Sequence, residues 1–197
     1  MWSRLSSGAV LVVYALLLAA GIGLASAFQA TSGDYPFGGV RVGTWIAWPR
    51  VGSREADPYA RAVVARNGDI PLAVGEGLML TASVDDSGQP LDGSCLYRLG
   101  GETPSARFWT LTFYDAAGQT SGSEIRRSGF TSAEILRNQD GGFVIVAAPN
   151  AQSGNWVPIP TGRIYAVLRL YDTPVSASSG TLERRSLPTI ERGECQS

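Results

Sequence analysis

The fold is decided by residues 108–114, which read Phe-Trp-Thr-Leu-Thr-Phe-Tyr. Three large apolar residues, Trp109, Leu111 and Phe113, alternate with threonines, which is the period of two that a half-buried β-strand shows. Threonine and aromatic residues also favour the pleated surface of a sheet. The stretch therefore predicts a strand with one apolar face and one threonine-rich face.

A second stretch, Arg163–Tyr171, alternates in the same way. One of its faces is aliphatic and consists of Ile164, Ala166, Leu168 and Leu170. The opposite face carries Tyr165, Val167, Arg169 and Tyr171. We assign the aliphatic face to the core. The other face is either an open binding surface or packing against a second sheet.

Turn residues separate further short strands, which are predicted at 42–48, 78–84, 95–99 and 143–147. The chain holds 24 glycines and 11 prolines among its 197 residues, a share above the average of about 12%. Residues 130–137 are ambiguous, because Thr131 and Glu134 also fit the capping box of a helical turn. These signals predict an all-β fold, an antiparallel sandwich or barrel.

One short helix is predicted at 58–67. Asp57 is a good N-cap, and Pro58 suits the first helical position. Asn67 and Gly68 offer a left-handed stop at the other end.

The N-terminus predicts export. Residues Gly8 to Phe28 form 21 positions without a charge, which span roughly 30 Å as a helix, about the thickness of a membrane's hydrocarbon core. Residues 1–28 are thus either a membrane anchor or a signal peptide that is cleaved after Ala27, in the sequence Ala-Ser-Ala. Arg4 on the short flank favours a cytoplasmic N-terminus. Residues 29–41 are then a linker, and residues 42–197 form the β-sandwich domain.

Composition excludes several function classes. The net charge is −1, so a nucleic-acid partner is not expected. Histidine is absent and all 16 basic residues are arginine. Ser-His-Asp and Cys-His catalysis, Schiff-base lysines and phosphate-binding loops with a lysine are therefore excluded. We expect no metal and no cofactor.

Two cysteines agree with export. Cys95 and Cys195 suggest one disulfide across about a hundred residues. In the loop-closure model, such a bond raises the free energy of unfolding by roughly 4–5 kcal/mol. It would hold the polar tail from Leu182 onwards. The alternative is two unpaired thiols.

Several segments carry a family resemblance. They are Arg107-Phe-Trp-Thr-Leu-Thr-Phe-Tyr-Asp115, Asp140-Gly-Gly-Phe-Val-Ile145, Asn155-Trp-Val-Pro-Ile-Pro160 and Tyr165-Ala-Val-Leu-Arg-Leu-Tyr171. In order and spacing they resemble the family called domain of unknown function 1214. Two further segments, Asp57-Pro-Tyr-Ala-Arg-Ala62 and Gly75-Glu-Gly77, resemble its short, single-domain, membrane-anchored members. The resemblance implies a jelly-roll-like sandwich in the bacterial envelope and implies no activity. With the apolar segment 8–28, it predicts a single pass through the inner membrane with the C-terminal domain in the periplasm; after signal cleavage the domain would be secreted there.

Candidate ligand-binding residues are Asn155, Trp156, Arg169 and Tyr171. Tryptophan and tyrosine supply stacking area, and an arginine supplies a fork of donors. The loop at 155–160 leads into the last strand, so we expect Trp156 near one end of the Arg169 face. The alternatives are structural: Trp156 as a corner plug, Asn155 as a turn cap, and Arg169 stacked on a tyrosine or paired with an acid.

Carboxylates give weaker signals. Asp85 and Asp86 fit a turn better than a calcium site, since a metal needs several converging oxygens. Glu76, Asp57 and Asp115 are acid–base candidates by elimination.

The leading hypothesis is a membrane-tethered, non-catalytic module that binds or supports an envelope component, a glycan or a protein. A carboxylate-dependent envelope glycan hydrolase is the alternative. A small subunit that docks on a larger envelope complex is a third hypothesis, and it needs an exposed apolar patch.

Overall fold

The computed structural model describes residues 7–33, 35–68, 70–103, 105–121, 127–174 and 182–196. The chain divides into two compact units. The helical unit comprises Met1–Phe37 and Ala56–Ile70, and the sheet unit comprises Gly38–Glu55 and Pro71–Ser197. Arg4, on which the predicted orientation rests, lies outside the described residues, as do positions 175–180 after the last predicted strand.

The helical unit contains α1 (Ser7–Ala30) and α2 (Pro58–Asn67). α1 carries no charged side chain and is long and apolar enough to cross a membrane or to be a signal sequence. α2 has the predicted bounds: the Asp57 carboxylate accepts hydrogen bonds from the backbone of Tyr59 and Ala60, and Gly68 ends the helix at a φ of 69°. The N-cap and the left-handed stop therefore act as the sequence predicts.

The sheet unit contains ten strands within the described ranges. They are β1 (Val40–Val42), β2 (Trp45–Ala47), β3 (Gly77–Ala82), β4 (Cys95–Gly101), β5 (Phe108–Asp115), β6 (Gly129–Thr131), β7 (Phe143–Ala148), β8 (Asn155–Pro158), β9 (Ile164–Tyr171) and β10 (Thr189–Cys195). The large sheet has the order β1-β2-β3-β9-β5-β6 and is antiparallel throughout. The small sheet has the order β10-β4-β7-β8.

One hydrophobic core lies between the sheets. The large sheet contributes Leu80, Leu111 and Leu168, and the small sheet contributes Tyr97 and Ile145, each at most 1% exposed. The aliphatic face of β9 is buried as predicted. The prediction of a mainly antiparallel sandwich with one short helix and an apolar N-terminal helix is confirmed.

Three segments differ from their predictions. The single strand predicted at 42–48 is instead the antiparallel pair β1 and β2, because Gly43 and Thr44 form a turn between them. Residues 155–158, predicted as part of a loop, form β8, which pairs in parallel with β7 although only residues 149–154 connect the two strands. β8 lies at the edge of the small sheet, where proline is tolerated. The polar tail after Leu182 contains β10, an edge strand with five of its seven residues exposed. Such a strand shows no alternation of hydrophobic residues, because it buries almost no face.

Candidate functional site

The outer face of the large sheet is built by the side chains of β5 and β9 that alternate with core residues. The strand register places Tyr165 opposite Tyr114, Arg169 opposite Thr110, and Tyr171 opposite Phe108. These side chains are half-buried, because neighbours on the same face cover part of each. We call these six residues, with Thr112 and Val167, the outer face.

Aromatic pairs mark both ends of the outer face. The rings of Tyr114 and Tyr165 are stacked, with centroids 5.5 Å apart and planes 20° apart. The rings of Phe108 and Tyr171 lie 5.8 Å apart and are tilted by 46°. Because cross-strand pairs fix ring positions on a hydrogen-bonded sheet, little conformational entropy is lost when a ligand stacks on them.

Arg169 lies between the two aromatic pairs. Its Nη1 donates a hydrogen bond of 3.3 Å to the hydroxyl oxygen of Tyr114. The guanidinium thereby spans the row that contains Val167, which is 3% exposed. Within the described part of the chain, no carboxylate lies within ion-pair distance of Arg169. Most of its five donors therefore remain for an external acceptor.

The outer face continues into one cavity beside β6, and a second cavity adjoins the first through Arg127, Phe130 and Glu134. The first, of about 400 Å³, is lined by Thr110, Thr112 and Thr131 and by Arg127. The second, of about 320 Å³, extends from Arg127 towards Trp156. Arg127 lies 4.5 Å over the ring of Phe130. Hydroxyls, an arginine and aromatic rings are thus continuous along this edge.

Trp156 and Asn155 do not lie on the outer face, because they belong to β8 in the small sheet. The Trp156 Nε1 donates to the Ala148 carbonyl at 3.1 Å. Asn155 is 6% exposed; its Nδ2 donates to the carbonyls of Leu136 and Val144, and its Oδ1 accepts from the Leu136 amide. The structure brings together Arg169 and Tyr171 but not Trp156. A role of Trp156 and Asn155 in binding stays a prediction.

Sequence reasoning missed the aromatic residues of β5. Phe108 and Tyr114 share the parity of Thr110 and Thr112 along the strand, so they point to the same face. That signal was available. The pairing of this face with Arg169 was not, because register depends on contacts distant in sequence.

Asp85 is fully buried at what we call the C-terminal corner, formed by Asp85, Asp86, Arg184, Arg192 and the two cysteines. Its carboxylate accepts hydrogen bonds from the Ser87 amide and hydroxyl, the Gln89 amide and the Arg192 Nε, which lies 2.7 Å away. Burial acts to raise the pKa of Asp85, but these hydrogen bonds and the charge of Arg192 outweigh it, so the pKa lies below its usual value. Asp85 is therefore a structural acid.

Asp86 completes the corner. Its carboxylate accepts from Arg184 at 2.7 Å and from the Ile190 amide at 3.0 Å. The sulfur atoms of Cys95 and Cys195 lie at disulfide-bonding distance, and the two residues face each other across β4 and β10. The corner thus holds the C-terminal strand by ion pairs and by a cysteine pair.

The remaining acid candidates have local contacts. Asp57 caps α2, and Asp115 accepts from the amides of Ala117 and Gln119 in the turn after β5. Glu76 is exposed just before β3. Among the described residues, no cluster of three acidic or cysteine side chains could hold a metal ion. The hydrolase hypothesis stays a prediction without a supporting contact.

Comparisons with solved structures concern the fold. The VPA0106 protein from Vibrio parahaemolyticus is 23% identical, with a TM-score of 0.58 over 71% of this chain and 36% of its own. A putative uncharacterised protein from Burkholderia cenocepacia is 20% identical, with a TM-score of 0.41 over 61% of this chain and 30% of its own. This chain therefore spans about a third of the length of these structures. No curated protein matches it.

The family described as protein of unknown function, DUF1214, matches residues 76–175, which is more than half of the chain. The matched range includes β5 and β9, and with them the whole outer face. By this match, the chain belongs to the DUF1214 family.

Proposed function

We propose that this chain is a membrane-tethered, non-catalytic domain on the periplasmic side of the bacterial inner membrane, and that its outer face binds an envelope glycan. The observation that carries the proposal is Arg169 between two aromatic pairs, without a carboxylate partner in the described residues.

Two features support the location. α1 has the length and composition of a membrane anchor. The pairing of Cys95 with Cys195 suits an oxidising compartment, because disulfides persist outside the cytoplasm. An uncleaved α1 would keep the sheet unit attached to the membrane surface.

The chemistry of the outer face supports a glycan. Sugar rings present flat C–H faces that pack on aromatic rings, and their hydroxyl and carboxylate oxygens accept hydrogen bonds. The outer face offers two aromatic pairs, the donors of Arg169 and the hydroxyls of Thr110 and Thr112. The cavities beside β6 extend this surface, as a chain of several sugars requires.

Co-sedimentation with purified peptidoglycan sacculi tests the binding. The detergent-solubilised full chain should sediment with the sacculi. Arg169→Ala and Tyr165→Ala should each weaken binding by about fivefold, since one good contact is worth about 1 kcal/mol. The matched control is Tyr59→Ala, which removes an exposed tyrosine of the helical unit and should leave binding unchanged.

The contradicting results are specific. A wild-type chain that stays in the supernatant rules out this glycan as the ligand. If Tyr59→Ala weakens binding as much as Tyr165→Ala, the outer face is not the binding surface.

Topology is tested separately. A reporter enzyme that is active only in the periplasm, fused after Ser197, should work, whereas a reporter active only in the cytoplasm should not. Mass spectrometry of the mature N-terminus distinguishes anchor from signal peptide, because a chain that begins at Phe28 has no anchor.

A further inference from the structure

The C-terminal end of α1 marks a membrane boundary if α1 spans the bilayer, as the proposed function requires. Its continuous apolar stretch ends at Phe28, which is followed by Gln29, and about 20 helical residues cross the hydrocarbon core. Phe28 and the residues that follow it therefore lie at the level of the lipid headgroups.

Arg66 attaches α2 to this end of α1. Its guanidinium carbon lies 4.0 Å over the ring of Phe28. Its Nη1 donates to the Phe28 carbonyl at 3.4 Å and to the Thr31 hydroxyl at 3.3 Å. The Phe28 carbonyl belongs to the last turn of α1, where a positive charge is favourable, and Thr31 directly follows the helix. The C-terminal end of α2 is thus held at the height of the boundary.

Exposed aromatic rings occur on Phe28 itself, on Phe37 shortly after α1, and on Tyr59, two turns before Arg66 in α2. Phe28 and Phe37 are 60% and 59% exposed, and Tyr59 is 45% exposed. The rings of Phe37 and Tyr59 meet edge to face at 5.8 Å. Aromatic rings in this position are typical of the water–lipid interface. Tyr59 and Arg66 lie seven residues apart, and therefore on one side of α2.

We infer that α2 lies in the headgroup layer of the membrane that α1 crosses, with Phe37 and Tyr59 packed among the lipids and Arg66 in contact with a phospholipid phosphate. Three observations select lipid as the occupant: continuity with an apolar helix, aromatic rings at the boundary, and a cation beside them. The inference rests on the membrane tether of the proposed function and not on glycan binding.

Spin labels on single introduced cysteines test the placement in the full chain, reconstituted in vesicles of phosphatidylglycerol and phosphatidylethanolamine. In three separate variants, a labelled cysteine replaces Leu17 in α1, Ala62 in α2 or Leu136 in the sheet unit. All three positions are exposed. Ala62 lies between Tyr59 and Arg66 on the helix surface, so both side chains are kept. The measurement is the ratio of relaxation by oxygen, which concentrates in lipid, to relaxation by a water-soluble nickel chelate.

The expected ratio at Ala62 lies between the high value at Leu17 and the low value at Leu136. If the ratio at Leu17 is typical of lipid but the ratio at Ala62 equals that at Leu136, α2 lies in water. That result overturns the inference and leaves the tether intact. If the ratio at Leu17 itself is typical of water, α1 does not span the membrane. Both the proposed location and this inference are then wrong.

Arg66→Gln tests the contact that fixes α2. The ratio at Ala62 should move towards the aqueous value while the ratio at Leu17 stays constant. Arg137→Gln removes an exposed arginine of the sheet unit and is the matched control, for which no shift is expected. An unchanged ratio in Arg66→Gln, or an equal shift in both variants, overturns the role of Arg66.

Discussion

Arg169 and Arg192 each lie beside a tyrosine, yet their surroundings differ. The Arg192 guanidinium is 5.4 Å from the ring of Tyr97, and its Nε bonds the buried carboxylate of Asp85 at 2.7 Å. It also donates to the Pro90 carbonyl. Arg169 has the Tyr114 hydroxyl at 3.3 Å and, among the described residues, no carboxylate partner.

The difference separates a structural arginine from one available for binding. At the C-terminal corner, a buried carboxylate needs its counter-charge, so Arg192 is required for stability. On the outer face, the phenol orients Arg169 without neutralising it, and the guanidinium can bind an anion or a hydroxyl without breaking an ion pair. Changes at the corner should therefore affect folding, and changes on the outer face should affect binding.

The largest effect is expected from the cysteine pair. Replacing Cys95 and Cys195 by alanine should lower the free energy of unfolding by roughly 4 kcal/mol, because the bond closes a loop of about a hundred residues. Urea unfolding measures the loss, and glycan binding by the folded variant should persist. Alkylation and intact mass should find no free thiol before reduction; two labelled cysteines in the oxidised protein would contradict the bond.

The next largest effect separates the two arginines directly. Arg192→Ala should cost about 3 kcal/mol, because it leaves the carboxylate of Asp85 buried without a counter-charge. Arg169→Ala should cost less than about 1 kcal/mol, as is usual for half-exposed residues. Thermal unfolding of the two variants measures both losses, and equal losses would show that the two arginines contribute equally to stability.

Acid should weaken the corner selectively. The folded state lowers the pKa of Asp85, so the folded chain binds fewer protons than the unfolded chain at this site. The stability that Asp85 contributes is present above its unfolded pKa of about 3.9 and is lost as the pH falls through the lower folded value. Urea midpoints measured from pH 7 downwards should fall in this window. In Arg192→Ala the fall should begin at a higher pH, and an identical profile would show that Arg192 does not hold the pKa down.

A small effect is expected at Tyr171. Its half-buried ring packs on Phe108, so Tyr171→Ala should cost about 1 kcal/mol, the value of an aromatic pair. Thermal unfolding of this variant measures the loss of stability. A loss of about 3 kcal/mol or more, as for large-to-small core changes, would show that the ring is core packing and that this end of the outer face is not open to a ligand.

Local signals predicted the elements that depend on neighbours in sequence. The alternation at 108–114 and 163–171 became β5 and β9, and the cap residues of α2 act at the predicted positions. Of the ambiguous segment 130–137, residues up to Thr131 extend β6, and the Glu134 carboxylate accepts the Thr131 amide as a capping box would.

Non-local contacts explain what the sequence could not predict. β8 is a strand because β7 offers it an edge, and its parallel direction follows from the return of residues 149–154. β10 is held by Asp86 and by Cys95, roughly a hundred residues before it. The candidate site could be predicted only in part, for the same reason. Periodicity placed Arg169 and Tyr171 on one face of a strand. Only the strand order shows that Trp156 belongs to the other sheet.

The central position of β9 has a consequence for the order in which the chain can fold. β9 pairs with β3 on one side and with β5 on the other, and its partners in β3 precede it by about 90 residues. During synthesis, one edge of β3 and one edge of β5 therefore stay unpaired until residues 164–171 emerge, and one edge of β4 stays unpaired until β10 emerges. Pairings so distant in sequence fold slowly. A chaperone that covers strand edges would thus act in the interval between the emergence of β5 and that of β9.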